Sequence, residues 1–325
     1  MRVLITGASG YLGSALVHAL LETEHEPVVM VRHRERLNPD WRLTERQVLE
    51  CDITTKRAVD LVQRSRADVL VHTVSLDHTR SEVAAQALRT NILPLMRMTR
   101  LTRSNGAPQR AIYFSTQQVY GRLEPGETVT EDREARPMNG YGWTHLACET
   151  LLRKWERTEG VQGASLRISN GYGVPISSSA GCWQLAIQDF CVQAVRQGRI
   201  VLKSDGSPQR DFVHISDVTR TVRAVIEADS PPSTINIGSG ETVTILEAAR
   251  IVAEVYESVY GHRIGIERPN QSAPPTGANP SRFRYDVSRM NDLIGPIRTS
   301  MRTGIAELLQ YIATGSCQPA RRSDA

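Results

Sequence analysis

Short apolar runs alternate with stretches of helical periodicity through the first two-thirds of the chain. The helical stretches run from Tyr11 to Glu22 and from about Ala58 to Ser65, with apolar residues three and four positions apart. The apolar runs between and after them are RVLITG, PVVMVR, DVLVHT, RAIYFST and GASLRIS. This alternation predicts βαβ units, and therefore an α/β fold with a doubly wound parallel sheet covered by helices on both faces.

The pattern changes after about residue 172. Shorter mixed segments and loops rich in serine and proline follow, with one long helical pattern in TILEAARIVAEVYESVY. We therefore predict a first domain over residues 1–172, a smaller mixed α/β C-terminal lobe over 173–315, and a polar tail over 316–325. Segments around 211–240 are candidates for returning to the first domain.

Three glycines lie at the junction between the first predicted strand and the first predicted helix. ITGASGYLGSALVHALL places Gly7, Gly10 and Gly13 there, in a GxxGxxG spacing. Glycine permits a tight turn and close approach of the backbone to a diphosphate, while the helix N-terminus offers free N–H groups to the anion. This predicts a Rossmann-type dinucleotide site that includes Tyr11 and Leu12 in the same turn.

The end of the second strand bears on the choice of cofactor. Arg32 stands 19 positions after Gly13, where an acidic residue would bind a ribose 2′-hydroxyl and an arginine would favour a 2′-phosphate. Arg32 therefore predicts NADP(H), with NAD as the open alternative. Asp52 and Ile53, in CDITT, follow at a position where such folds contact the adenine.

Composition narrows the class of protein. The chain has 325 residues, and its 40% hydrophobic content is typical of a globular protein. No apolar run reaches the length of about 20 residues that a membrane span needs, so we expect a cytoplasmic protein without a membrane partner. The five cysteines are an odd number and include no CxxC pair, which argues against both a disulfide framework and a metal site. The net charge of +4 is scattered, which argues against a nucleic-acid partner.

Several motifs together resemble the NAD-dependent epimerase/dehydratase family of extended short-chain dehydrogenases/reductases, whose members act on nucleotide-linked sugars. The resemblance extends over nearly the whole chain. Its segments are TGASGYLG, VHTVS, RTNILPLMRMTRL, FSTQQVYG, YGWTHLACE, LRISNGYG, GSPQRDFVHISDV and INIGSGETVTILEAA. The resemblance implies a nicotinamide cofactor, and we also expect a homodimer.

The resemblance assigns the catalytic residues. Thr116 matches the hydroxyl residue that orients the sugar C4 oxygen, and Tyr141 matches the acid/base that exchanges a proton with it. Asn91 is implied on the cofactor side, and Ser115 and Gln117 on the substrate side. Dehydratases of the family have an Asp-Glu pair where this chain has Gln117 and Gln118, and neutral amides cannot transfer protons, so dehydration is excluded.

The family's lysine, four residues after the tyrosine, is replaced by His145. At about 5 Å and an effective dielectric constant near 20, a unit positive charge lowers a tyrosine pKa by roughly two units. A neutral histidine supplies a hydrogen bond to the cofactor ribose but little of that charge. Tyr141 should therefore stay protonated, which impairs oxidation of an alcohol more than reduction of a ketone.

The C-terminal lobe resembles the family's nucleotide-sugar site. Asn170 in LRISNGYG and Arg210 in SPQRDFVHISDV match residues that bind the diphosphate, and an arginine fork suits phosphate oxygens. Arg268 and Arg284 are further candidates for substrate binding.

Together these residues predict NADPH-dependent reduction of the 4-keto group of a nucleotide-linked hexose or deoxyhexose. Two alternatives remain open. One is a nucleotide-sugar 4-epimerase with tightly bound NAD, and the other is a non-catalytic protein that binds the cofactor.

Overall fold

The centre of the protein is a seven-stranded parallel sheet with helices on both faces. The coordinates are a computed structural model that describes residues 1–177, 180–269 and 281–315. The strands are β1 (Arg2–Thr6), β2 (Glu26–Val31), β3 (Val48–Glu50), β4 (Val69–His72), β5 (Arg110–Thr116), β6 (Thr128–Val129), β7 (Gln162–Ile168), β8 (Asn170–Tyr172), β9 (Arg199–Val201), β10 (Gln209–His214), β11 (Thr234–Ile237), β12 (Thr242–Thr244), β13 (Gly265–Glu267) and β14 (Arg284–Tyr285).

The helices cover this sheet and form most of the second lobe. They are α1 (Tyr11–Leu21), α2 (Arg57–Ser65), α3 (His78–Ser81), α4 (Ala84–Ala87), α5 (Leu93–Met98), α6 (Gly140–Glu159), α7 (Ala186–Gln197), α8 (Ile215–Glu227), α9 (Ile245–Tyr260), α10 (Ser288–Ile294) and α11 (Met301–Ala313). A π-helical turn, Leu88–Ile92, joins α4 to α5. Within the described residues, no helix combines the length and the apolar character that a membrane span requires.

The order of the strands creates the crevice that matters for function. The large sheet runs β11-β7-β5-β4-β1-β2-β3, and every neighbouring pair is parallel. The chain passes outward from β1 to β3 and then returns to β4 on the other side of β1. Ligands of such sheets bind where the order reverses, outside the carboxyl ends of the strands. The predicted Rossmann-type sheet is confirmed.

Both faces of the sheet are buried, and β1 shows how. Val3 and Ile5 pack on one face with residues of α1 and α8, whereas Leu4 packs on the other with residues of α2, α5 and α6. Successive side chains of a strand point to opposite faces, so a strand covered on both sides reads as a continuous apolar run. This explains why RVLITG and DVLVHT identified their strands so well.

A second group of elements forms the smaller lobe. Strands β8, β10 and β12 make a three-stranded sheet, and helices α7, α9 and α11 contact one another around a separate apolar cluster. Strand β11 pairs with β7 in the large sheet, so the chain after residue 172 contributes to both sheets. The division of function at residue 172 stays a prediction, and the predicted tail at 316–325 lies outside the described residues.

A buried ion pair fastens α6 to the sheet. Glu149 on α6 is fully buried and accepts two hydrogen bonds from Arg167 on β7, at 3.0 Å from Nε and 2.7 Å from Nη2. Ser115 on β5 donates a third hydrogen bond to Glu149 at 2.6 Å. The Arg167 guanidinium also stacks over the Tyr120 ring at 4.7 Å. Helix α6 is thus held to two adjacent strands through one carboxylate.

We expect Arg167→Met to lower the free energy of unfolding by about 3–5 kcal/mol, because the buried Glu149 carboxylate loses its buried cation and two hydrogen bonds and keeps only the half-exposed Arg153, at 3.6 Å. Urea unfolding measures this loss. The double variant Glu149→Leu with Arg167→Met should recover most of it. Arg34→Met, which breaks the exposed pair with Glu45, is the matched control and should have little effect. If Arg167→Met and Arg34→Met lowered the free energy of unfolding equally, the assigned role of the buried pair would be contradicted.

Candidate active site

The loop between β1 and α1 forms a cradle for an anion. Gly7 has a φ of +74° and donates its N–H to the Met30 carbonyl at 3.1 Å. A Cβ at Gly7 would lie 2.6 Å from Thr73 Oγ1, and one at Gly13 would overlap the Gly7 carbonyl. Helix α1 begins with Gly10 as its N-cap, without a capping side chain and without an acidic residue in its first turn. Its N-terminal N–H groups therefore suit a diphosphate.

A cleft of about 460 Å³ extends from this loop to Tyr141. Its lining includes many of the predicted cofactor residues, namely Gly7, Gly10, Tyr11, Leu12, Gly13, Arg32, Ile53 and Tyr141. Residues 73–77, which follow β4, also line it. The cleft thus joins an anion cradle to a tyrosine, as a dinucleotide that reacts at its far end requires.

Basic side chains line this cleft just after the end of β2, where the sequence predicts the adenosine half of the cofactor. Arg32, His33 and Arg36 line it, and the Arg32 side chain is 61% exposed. Asp52 lies beside Arg32, with 3.8 Å between Asp52 Oδ2 and Arg32 Nε, and its other oxygen accepts from Thr54 N at 2.8 Å. Arg32 is therefore accessible to a ligand, although a neighbouring carboxylate offsets part of its charge.

Tyr141 stands in the first turn of α6, where the catalytic tyrosine was predicted. Asn139 caps this helix by accepting a hydrogen bond from Gly142 N at 2.8 Å. Three effects bring the pKa of Tyr141 to about 12: desolvation raises it, a hydrogen bond with Thr116 lowers it in part, and the charge of Asp77 raises it. The phenol is therefore protonated at neutral pH and is paired with Thr116.

His145 lies one turn further along α6 and is buried rather than exposed in the cleft. Its Nδ1 is 2.8 Å from the Tyr113 hydroxyl and its Nε2 is 3.1 Å from Ser75 Oγ. Three effects bring the pKa of His145 to about 3: burial lowers it, nearby His72 lowers it as well, and a hydrogen bond with the backbone of Phe114 raises it in part. His145 is thus a neutral imidazole whose ring centroid lies 4.4 Å from that of Tyr141.

Ser75, not His145, lines the cleft at this point. The sequence analysis missed Ser75 and Tyr113, although VHTVS ends in a serine where the family often has alanine. Asn91 was predicted beside the cofactor, but it is fully buried. Its side chain accepts from Leu76 N at 2.8 Å and donates to Thr144 Oγ1 at 3.0 Å. Asn91 therefore supports the segment after β4 instead of reaching the cleft.

A second cleft, of about 740 Å³, opens on the other side of Thr116. Four of the predicted substrate residues line it, namely Thr116, Gln117, Asn170 and Arg210. Gln117 is only 9% exposed, and its side-chain Nε2 is buried without a hydrogen-bond partner. Buried amide groups are usually hydrogen-bonded, so this nitrogen is an exception within a residue that lines the cleft.

Three other predicted substrate residues lie elsewhere. Ser115 donates its hydroxyl to buried Glu149, Arg268 Nη1 donates to the Asp205 carbonyl at 3.2 Å, and Arg284 is an exposed residue of β14. None of the three is among the residues that line this cleft. His78, which was not predicted, does line it, and its ring centroid lies 6.5 Å from that of Tyr141.

The chain is similar to known proteins over almost its whole length. The model of the NAD dependent epimerase/dehydratase family matches residues 3–238. The chain is 26% identical to dTDP-L-rhamnose 4-epimerase of Burkholderia thailandensis, over 96% of this chain and 95% of that protein. It is 24% identical to the uncharacterized UDP-glucose epimerase YtcB of Bacillus subtilis, over 97% and 98%. The solved structure of MoeE5 in complex with UDP-glucose and NAD superposes with a TM-score of 0.77 at 25% identity, covering 97% of this chain and 99% of that one.

We expect the buried histidines His72 and His145, which lie close to each other, to make the protein sensitive to acid. Burial lowers the pKa of His72 to about 4 and that of His145 to about 3, so the unfolded chain takes up these protons first, near pH 6.5. The free energy of unfolding should be highest above that pH and should fall towards pH 4, by about 1.4 kcal/mol per pH unit for each histidine.

Urea unfolding at a series of pH values measures this slope in the wild type and in His145→Gln. The variant should lose the contribution of one proton to the slope between pH 4 and 6. An unchanged slope in His145→Gln would mean that this imidazole is not held neutral by burial.

Proposed function

The chain belongs to the NAD dependent epimerase/dehydratase family, and we propose that it is a nicotinamide-dependent oxidoreductase of a nucleotide-linked sugar. The favoured reaction is reduction of a 4-keto group, with Tyr141 as the proton donor and Thr116 as the hydroxyl that orients the sugar oxygen. Residues 1–172 hold most of the cofactor in this proposal, and the lobe after residue 172 binds much of the nucleotide sugar.

The observation that carries the proposal is the state of the pair formed by Tyr141 and His145. A reductase needs a phenol that gives a proton to the developing alkoxide, whereas oxidation of an alcohol needs a phenolate base. Burial holds Tyr141 protonated, and the residue in the place of the family's lysine is a neutral imidazole. Both features favour the donor role.

The residues of the first cleft fit a dinucleotide. Gly7, Gly10 and the start of α1 would hold its diphosphate, Arg32 and Ile53 its adenosine half, and Ser75 and Tyr141 its reacting half. When bound, the reduced cofactor supplies a hydride to the carbonyl carbon. The protein's own contribution is to orient the carbonyl oxygen through Thr116 and to deliver the Tyr141 proton to it.

The residues of the second cleft fit a nucleotide diphosphate sugar. Arg210 and Asn170 would bind the diphosphate, since both line the same cleft as Thr116. Each donates to one backbone carbonyl, Arg210 to that of Gln209 and Asn170 to that of Asp211, and each has further N–H groups for a ligand. The Gln117 amide, buried and without a protein partner, would donate to a sugar hydroxyl next to the reacting carbon. This arrangement supports a sugar seated between Thr116 and Arg210.

A 4-epimerase that keeps NAD bound is the second candidate. It is favoured by the comparisons, because the relatives described above are named epimerases and the MoeE5 structure carries NAD and UDP-glucose. Thr116 and Tyr141 serve this reaction equally well in its reductive half. The oxidative half is the harder step here, because no cation in the lysine's position helps to form the phenolate.

We expect the wild-type protein to oxidise NADPH or NADH in the presence of a nucleotide-linked 4-keto-6-deoxyhexose. Tyr141→Phe should lower turnover by at least about a hundredfold, as expected for loss of a general acid, while cofactor binding persists. Absorbance at the wavelength of the reduced nicotinamide measures the reaction. Interconversion of 4-hydroxyl epimers without added reductant would favour the epimerase, and full activity of Tyr141→Phe would show that the tyrosine is misassigned.

The choice between NADP(H) and NAD(H) depends on Arg32. A charge-assisted contact with a 2′-phosphate predicts that the wild type binds NADPH about ten to a hundred times more tightly than NADH. Arg32→Asp should reverse this preference. Isothermal titration of both cofactors measures it, with Arg34→Asp as the control, because Arg34 is paired with Glu45. Equal affinities in the wild type would refute the NADP(H) assignment and leave NAD(H) as the cofactor.

A further inference from the structure

A row of three polar side chains connects the interior of the sheet to the cofactor cleft. The Tyr113 hydroxyl is 2.8 Å from His145 Nδ1, and His145 Nε2 is 3.1 Å from Ser75 Oγ. Tyr113 and His145 are buried, whereas Ser75 is half-buried and lines the cleft between the anion cradle and Tyr141. Of the three, Ser75 is the group that a ligand in the cleft can touch.

The direction of the two hydrogen bonds to His145 depends on the imidazole tautomer, and the Ser75 hydroxyl, which donates to the Leu76 carbonyl at 3.0 Å, favours His145 Nε2 as a donor. The Cys148 thiol donates to the Asn91 carbonyl at 3.2 Å, and a thiol sulfur is a weak acceptor. The Tyr113 hydroxyl therefore gives its proton to His145 Nδ1, which is the better acceptor beside it. A neutral imidazole then carries its proton on Nε2 and donates to Ser75 Oγ.

This arrangement leaves the Ser75 hydroxyl oriented for a ligand. Ser75 Oγ accepts from His145 and donates its own proton to the Leu76 carbonyl at 3.0 Å. A hydroxyl has one donor and two acceptor sites, so one acceptor site of Ser75 remains. A ligand hydroxyl could use that site and could also replace the Leu76 carbonyl as the acceptor.

We propose that Ser75 is the residue that binds the ribose of the reacting half of the dinucleotide, and that His145 is the positioning residue that orients it. The inference rests on the proposed cofactor. A diphosphate at the start of α1 and a reacting ring beside Tyr141 require the intervening ribose to pass residues 73–77. Thr73, Ser75 and Asp77 supply polar side chains in this part of the lining. Thr73 Oγ1 donates to the Thr6 carbonyl at 2.7 Å, and Ser75 is the one held by the buried imidazole.

In the family that the chain resembles, one lysine binds the cofactor ribose and also places a positive charge beside the tyrosine. In this proposal Ser75 and His145 together perform only the first of these functions. A hydrogen bond to the ribose is kept, because neutral His145 orients the Ser75 hydroxyl, which makes that bond. The positive charge beside the tyrosine is not kept. Ribose binding and the protonation of Tyr141 are therefore separable in this chain.

Isothermal titration of ADP, ADP-ribose, NADH and NADPH tests the proposal. ADP lacks the second ribose, so Ser75→Ala should leave ADP affinity unchanged and weaken the other ligands about three- to tenfold, as expected for one neutral hydrogen bond. Ser75→Thr keeps the hydroxyl and should keep wild-type affinity. An unchanged affinity of Ser75→Ala for ADP-ribose, or an equal loss for ADP, would overturn the assignment.

A double-mutant cycle tests the role of His145. His145→Phe should weaken ADP-ribose binding as much as Ser75→Ala does, and the double variant should be no weaker than either single variant. His145→Gln places an amide N–H near the position of Nε2 and should restore the affinity. Additive losses, or no rescue by His145→Gln, would refute the positioning role.

The test separates this proposal from the proposed function. A wild type that reduces no 4-keto sugar but shows the ADP-ribose effect in Ser75→Ala would support the ribose site and reject the reaction. Turnover together with an unaffected Ser75→Ala variant would support the reaction and reject the ribose site. A wild type that binds none of the four ligands would overturn the cofactor cleft and this proposal with it.

Discussion

The buried pair of Glu149 and Arg167 is the interaction on which the site depends. A carboxylate without solvent is tolerated only when a cation and hydrogen bonds surround it, and Glu149 has Arg167 and Ser115 around it. These partners belong to β7 and β5, so the pair sets the position of α6 against both strands. Because β5 ends at Thr116 and α6 begins next to Tyr141, this ion pair also fixes the position of Thr116 relative to Tyr141, although it contacts neither side chain.

Helical spacing carries this constraint along α6. Tyr141, His145 and Glu149 are four residues apart and therefore lie on one face of the helix, towards the sheet. Fixing Glu149 buries His145 against Tyr113, and desolvation then keeps the imidazole neutral. The same burial raises the pKa of Tyr141. The protonation states at the site are thus consequences of how the helix packs.

The loop between β1 and α1 and the start of α1 are hydrogen-bonded to the second lobe as well as to the sheet. The Tyr11 hydroxyl, at the start of α1, donates to the Gly173 carbonyl at 3.0 Å and accepts from Gln188 on α7 at 3.1 Å. Asn170, three residues before Gly173, lines the second cleft. A cofactor on the loop and a sugar nucleotide in the second cleft would therefore rest on one connected framework.

The sequence by itself determined the parallel sheet and the glycine cradle, because these follow from local steric rules, periodicity and spacing along the chain. Thr116 and Tyr141 were indicated by the resemblance of their motifs to the family. The sequence also indicated a neutral residue at position 145. Only the tertiary structure decided which side chains reach a ligand: Ser115 and Asn91 turn inward, Gln117 keeps a buried amide without a protein partner, and Ser75 takes the place in the cleft expected of His145. The physical reason is that hydrogen-bond partners select each orientation, and these partners are distant in sequence, as Ser75 and His145 are at 70 positions apart.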